Sequence, residues 1–252
     1  MKPIQKTSPR RWVPIIVKGT EAELEQGEEE SEPEWIPLSD IFEQPAVLFR
    51  NMLFLEGLDC TSNTYVIVGD YLTVVDPGSN AYGFARLFDH PEYAPEDIKK
   101  IVLTNGNPDH TMGTLDLFRY PGVKNNPELE IILHEASPSE FKNLLSGFGV
   151  QLTEIMGGET LDLGGFRFDV LSTPCVSTSA ACLCHSETGT VIPGDVALTC
   201  ESMDSEFHVY SRPRNYLSRL GSLLGLDISF VLPGHGQVVN AVGSWLQPIG
   251  AP

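Results

Sequence analysis

From about Ile41 onward the chain sets short apolar runs between Gly, Asp and Asn. AVLFRNMLFLEG (46–57), NTYVIVGD (63–70) and YLTVVDPG (71–78) are rich in β-branched and aromatic residues and end at turn formers, the pattern of consecutive antiparallel strands. AYGFARLFDH (81–90) changes period: Ala81, Phe84, Ala85 and Phe88 fall at i, i+3, i+4 and i+7, one face of a helix. KKIVLT (99–104) and ELEIILHE (128–135) predict buried strands. SPSEFKNLLSGFG (137–149) predicts a helix that opens with Ser137 and Glu140 spaced as a capping box and closes at Gly147 or Gly149. Strands follow in GETLDLGG, FRFDVLS, AACLCHS and GTVIPGD, then a helix in NYLSRLGSLLG and a last strand in ISFVLPGHG. Two β-rich halves that each lead into helical crossovers predict an α+β fold, with sheets face to face and helices outside. Neither a repeat nor a linker interrupts residues 41–252, which read as one domain.

The first forty residues lack this texture and divide by charge. Lys2, Lys6, Arg10, Arg11 and Lys18 lie within residues 1–20 with no acid, and residues 21–34 hold eight glutamates with no base. A run of like charge repels itself and buries nothing, so residues 1–40 read as a disordered or loosely held leader. Its basic arm, with Trp12 and Trp35, is a candidate for docking a protein partner.

Charge and composition narrow the function further. The 16 Lys+Arg stand against 34 Asp+Glu, a formal charge of −18 over 252 residues, and such a field repels nucleic acid and anionic lipid. No apolar run reaches the ~18 residues of a membrane span. WVPIIV is too short, and too interrupted by Pro14, for a signal peptide. Five cysteines, an odd number, suit reduced thiols in a cytoplasmic protein.

Four strand-end loops gather the chemically unusual residues: Thr104 to Gly113 (TNGNPDHTMG), Thr173 to Ser179 (TPCVSTS), Pro193-Gly194-Asp195 and Pro233-Gly234-His235-Gly236. Polar groups on Gly/Pro-shaped loops at strand ends are where scaffolds usually carry their sites. Asp109, His110, Asp195 and His235 supply the oxygen and imidazole donors that zinc, iron or manganese take.

In order, these segments resemble the metallo-β-lactamase superfamily. VLTNGNPDHTMG is similar to that family's Thr-His-x-His-x-Asp-His-x-x-Gly strand end. GETLDLGGFRFDVLSTPCVSTSAACLCHSETGTVIPGD is similar to the stretch that usually runs His-Thr-Pro-Gly-His-Thr-Pro-Gly up to Gly-Asp. VVDPG at Asp76 and VLPGHG at His235 match two further motifs, and the likeness covers residues 45–240 or so. It implies a four-layer αβ/βα sandwich with the site at one edge of the facing sheets.

The departures carry as much information as the matches. Asn105, Asn107 and Val176 stand where the family places the three histidines of a first metal. A neutral amide is a poor ligand and valine is none. The positions implied for a second metal, Asp109, His110, Asp195 and His235, all keep competent side chains, with Asp109 either a ligand or the group that orients and deprotonates water. Asp76 is expected to tie loops beneath the site. One divalent ion is therefore implied, zinc first, iron or manganese as alternatives. A single-metal hydrolase of an ester, thioester or amide-type small-molecule bond follows.

Two other readings use other residues. Loss of three ligands fits a catalytically inactive binding or assembly subunit. Cys60, Cys175 and Cys200, if they converged, would suit a soft metal or an iron–sulfur centre in a redox subunit. His208, Tyr210, Arg212 and Arg214, in the loop after Asp195, are candidates for contact with substrate or partner, the arginines as an anion clamp.

Overall fold

The computed structural model describes residues 34–43, 45–58, 60–174, 177–196 and 228–240. The first sheet has seven strands in sequence order: β1 (Ile36–Pro37), β2 (Met52–Leu55), β3 (Thr64–Val68), β4 (Leu72–Val75), β5 (Ile98–Val102), β6 (Glu130–His134) and β7 (Gln151–Ile155). Strands β1 to β4 pair antiparallel, and β4 to β7 pair parallel. Parallel neighbours need crossovers. These hold α3 (Phe84–Asp89), then α4 (Pro108–Thr111), α5 (Gly113–Leu117) and α6 (Pro121–Lys124), then α7 (Ser139–Gly147).

The second sheet contains β8 (Thr160–Leu163), β9 (Phe166–Ser172), β10 (Ala181–His185), β11 (Thr190–Gly194), β12 (Phe230–Pro233) and β13 (Val239–Asn240), ordered β13-β12-β11-β10-β9-β8. Only β11–β12 is parallel among these pairs.

Alternation along the strands of the first sheet sorts its side chains into two cores. Phe54, Tyr65, Ile67, Val75, Val102 and Ile132 face the second sheet, where Leu163, Phe168, Val170, Leu183 and Ile192 meet them. Their neighbours Leu53, Val66, Val74, Ile101 and Ile131 face the other way, onto Phe84, Leu87, Leu117, Val123 and Leu145 of the helices. Burial on both faces is why β3, β4 and β6 read as near-continuous apolar runs. Each such side chain contributes roughly 1.5–3 kcal/mol. The result is the sandwich of two mixed sheets with helices outside that the resemblance implied. The helix expected in NYLSRLGSLLG lies outside the described residues. Among the described residues, no helix is long and apolar enough to cross a membrane.

Three local expectations change. The sheet begins at Ile36, ahead of residue 41, because Trp35 donates its indole N–H to Gly83 O at 2.8 Å and packs edge-on against Phe84, while Leu38 of α1 (Leu38–Phe42) is fully buried. The helix over 81–90 is shorter, since Asn80 Oδ1 accepts the Tyr82 N–H at 3.0 Å and holds a turn before it. The capping box does not form: Pro138 takes the N-cap position, Ser137 Oγ is buried without a hydrogen-bond partner among the described residues, and Glu140 accepts from Ser139 Oγ.

Candidate metal centre

Two parallel pairs, β4–β5 from one sheet and β11–β12 from the other, end side by side, and their loops build the centre. The sheets are tied there by Ala181 N–H to Thr104 O at 2.7 Å and by Asn63 N–H to Gly234 O at 2.6 Å.

Asp76 leaves β4 with a left-handed φ of 49°, a conformation that Asp tolerates better than most residues. Its carboxylate is buried and fully used: Oδ1 accepts Thr104 N–H at 2.8 Å, and Oδ2 accepts Thr104 Oγ1–H at 2.5 Å and faces His110 Nδ1 at 2.9 Å. These bonds match the loop-tying role expected of it. Because Nδ1–H donates to Asp76, Nε2 is the His110 atom turned to the centre.

His110 Nε2 lies 2.8 Å from Asp195 Oδ1 and 3.6 Å from Asp109 Oδ2. His235 Nε2 lies 3.0 Å from Asp109 Oδ2 and 3.5 Å from Asp195 Oδ1. The two rings stand edge to face, 5.3 Å between centroids. Asp109, His110 and His235 offer ligand atoms all within 4.8 Å of one another. Ligands ~2.0–2.1 Å from a tetrahedral ion stand ~3.3 Å apart, so this donor set fits a divalent cation in chemistry and in spacing. Without an ion, burial opposes charge on His110, but Asp76 and Asp195 outweigh it and hold the imidazole well above its ordinary pKa. Burial likewise pushes Asp195 up, and His110 and His235 more than reverse this, leaving its carboxyl below the usual range.

Exposure grades across the centre. The His110 side chain is 0% exposed, Asp195 9%, His235 23% and Asp109 32%, so the mouth opens on the Asp109–His235 side.

Asn105 is buried and Asn107 half-buried beside Asp195. Asn105 Oδ1 accepts the Asn107 backbone N–H at 2.8 Å, which turns its Nδ2 toward Asp195 Oδ2 at 3.1 Å; Asn107 Nδ2 reaches the same oxygen at 3.2 Å. Both amides thus turn hydrogen donors toward Asp195, and an amide spent in this way is a poor metal ligand. Asn107 is the N-cap residue of α4 but spends its side chain on Asp195, while its carbonyl accepts Thr111 Oγ1–H at 3.0 Å.

The glycines of the loops are there for room. Gly194 has φ 54°, and a Cβ on it would meet Thr104 Oγ1 at 2.5 Å. A Cβ on Gly234 would stand 2.7 Å from His110 Cε1 and 3.2 Å from Asp195 Oδ1.

Asn63 is a residue that motif reading missed. Its Nδ2 donates to Pro233 O at 2.9 Å and Gly236 O at 2.8 Å, its Oδ1 accepts Gly57 N–H at 2.9 Å, and Tyr65 O–H also reaches Pro233 O at 2.7 Å. It thus holds the loop that carries His235. Its only sequence signal was its place at the start of a strand.

Of the remaining candidates, Cys60 is exposed, while Val176, Cys175, Cys200, His208, Tyr210, Arg212 and Arg214 lie outside the described residues.

A two-sheet sandwich with carboxylates and imidazoles at its loop edge defines a class, and sequence comparison agrees. The chain belongs to the metallo-beta-lactamase superfamily, whose family model matches residues 57–235. It is 27% identical over 230 aligned residues to the probable metallo-hydrolase YqjP of Bacillus subtilis (strain 168), covering 73% of this chain and 69% of that one. Among solved structures, the H90N mutant of a flavo di-iron protein from Thermotoga maritima is similar with a TM-score of 0.57 and 19% identity over 77% of this chain, which spans 57% of that protein. The metallo-beta-lactamase family protein TTHA1429 from Thermus thermophilus is similar with a TM-score of 0.55 and 20% identity, covering 78% of this chain and 77% of that one.

Proposed function

We propose that the chain is a single-metal hydrolase that directs water at an ester, thioester or amide-type carbonyl of a small molecule. One observation carries the reading: Asp109, His110, Asp195 and His235 bring carboxylate and imidazole atoms from both sheets to 2.8–3.6 Å of one another. Likeness to a probable metallo-hydrolase supports the reaction class. A divalent ion, zinc first and iron or manganese as alternatives, would supply a Lewis acid there and lower the pKa of water toward ~7.

The chain's own groups divide the remaining work. His110, His235 and Asp195 Oδ1 would hold the ion, with Asp109 within reach as a further donor. Asp76 fixes the tautomer and direction of His110. Asp109, the most exposed of the four, meets water entering at the mouth, orients it and accepts its proton.

The test is hydrolysis of p-nitrophenyl esters, acyl thioesters and anilides by chelator-stripped chain and by chain reloaded with zinc, iron(II) or manganese(II). Activity restored by metal and lost in His235→Ala and Asp109→Asn supports the proposal. Failure to retain any ion, or no metal-dependent turnover on the whole panel, refutes it and leaves the binding-subunit reading.

A further inference from the structure

We propose that Asn105 and Asn107 form an amide clamp that stands in for the first cation of the family and confines the centre to one ion, by saturating Asp195 Oδ2 and leaving only Oδ1 to ligate. The inference rests on reading the centre as a metal site, and it concerns how Asp195 is used there.

Three observations carry it. Asn105 and Asn107 Nδ2 both end on Asp195 Oδ2, at 3.1 and 3.2 Å, while Oδ1 of the same carboxylate faces His110 Nε2 at 2.8 Å and His235 Nε2 at 3.5 Å. One oxygen is thus given to amide donors and the other to the imidazoles. A carboxylate that bridges two ions with one oxygen on each needs both, and here Oδ2 is already taken.

The Asn105 amide is also locked. Its Oδ1 accepts the backbone N–H of Asn107 at 2.8 Å, so turning that oxygen toward an ion would set Nδ2 against another donor. Asn105 and Asp195 are buried, so the wrong arrangement would leave unpaired polar groups where water cannot compensate.

Two neutral N–H dipoles differ from a divalent ion in what they do to the carboxylate. They fix its plane and occupy its lone pairs, but draw off far less of its negative charge. Asp195 therefore remains a strong, directed, one-oxygen donor to the remaining ion. The arrangement also denies a second ion the Oδ2 atom of this carboxylate. Asn105 and Asn107 are positioning residues, acting through Asp195.

The experiment loads full-length chain with cobalt(II), measures ions per chain by mass spectrometry, and records the visible ligand-field spectrum. The expected result is one ion per chain at cobalt concentrations up to tenfold above the protein. Asn105→Ala and Asn107→Ala, each folded by near-ultraviolet circular dichroism, should bind cobalt ~10-fold more weakly, with an altered spectrum as Asp195 turns. Asn105→His combined with Asn107→His should raise the stoichiometry toward two. Two ions in the unaltered chain, no ion, or alanine variants with unchanged affinity and spectrum would overturn the clamp. One ion without hydrolysis of any substrate would sink the hydrolase reading and leave the clamp intact, whereas two ions with hydrolysis would overturn the clamp and the single-ion count and leave metal-dependent hydrolysis standing.

Discussion

Asp76 Oδ2 faces His110 Nδ1 at 2.9 Å, in a pocket where both side chains are almost wholly sealed from solvent. The pairing spans a complete β–α–β crossover, since Asp76 follows β4 and His110 sits in the helix after β5. A buried carboxylate behind an imidazole fixes its tautomer and raises the donor strength of the far nitrogen.

Asp76→Asn should therefore weaken metal binding by about 10–100-fold. The amide keeps the shape and can still accept one Thr104 bond, but loses the charge behind His110. Competition against a chromophoric chelator measures the loss, and an unchanged affinity would mean that His110 Nε2 does not face the ion.

Asn63→Ala strips partners from Pro233 O, Gly236 O and Gly57 N–H together. A drop of about 1–3 kcal/mol in unfolding free energy is expected from urea titration. Metal affinity should fall as well, because the His235 loop loses its anchor.

Gly234→Ala places a methyl group 2.7 Å from His110 Cε1 and 3.0 Å from the backbone carbon of Gly194. The imidazole has no free space to retreat into and the Gly194 backbone cannot yield, so the ring must tilt. About 1–3 kcal/mol of stability should go, with metal affinity falling at least ~10-fold. A chain that loads and melts normally would contradict the tight packing of this loop.

Metal removal should be visible in the melting curve. An ion at a hundred times its dissociation constant adds ~2.7 kcal/mol by mass action, or about 5–10 °C for a domain of this size. Calorimetry of stripped and reloaded chain at fixed protein concentration makes the comparison.

Glu159 gives an acid limb of a different origin. Its carboxylate accepts the N–H groups of Met156 and Gly157, each at 2.8 Å. Partial burial pushes its pKa up, but the backbone donors outweigh this and hold it below the usual value. Since the folded-state pKa is lowered, the contribution is complete above the unfolded value near ~4.3 and disappears as pH falls through the folded one. Between about pH 5 and about pH 3 the unaltered chain should lose more stability than Glu159→Gln.

The strands and the four donors were legible because each is a local fact. Apolar runs that give way to Gly, Asp, Asn or Pro mark strand ends, and the carboxylates and imidazoles stand in the loops that follow them. Burial of consecutive residues such as Val74 and Val75 on opposite faces leaves a continuous signal in the chain. Partnership was not legible. Asn105 and Asp195 are 90 positions apart, and Asn63 and Pro233 are 170 apart, so no spacing rule could show the clamp or the loop anchor. Asn105 and Asn107 read only as missing ligands; their use as donors to one oxygen emerges from the meeting of the two sheets. The capping box failed for the opposite reason. The right residue types were present, but Pro138 set the helix start beyond the reach of Ser137.

The turn between β3 and β4 meets the turn between β8 and β9 through Asp70 N–H to Gly164 O at 3.0 Å, at the end of the sandwich remote from Asp195. That far end is fastened by this backbone bond and by Tyr71 O–H and Lys100 Nζ donating to Asp162 O at 3.1 and 2.7 Å, whereas the near end joins Asp109 and His110 from one sheet to Asp195 and His235 from the other. Filling the centre thus rivets the two halves of the molecule across their open lips. Slow breathing of the jaw, read as amide hydrogen exchange at Thr104 and Ala181, becomes a gauge of occupancy that needs no substrate.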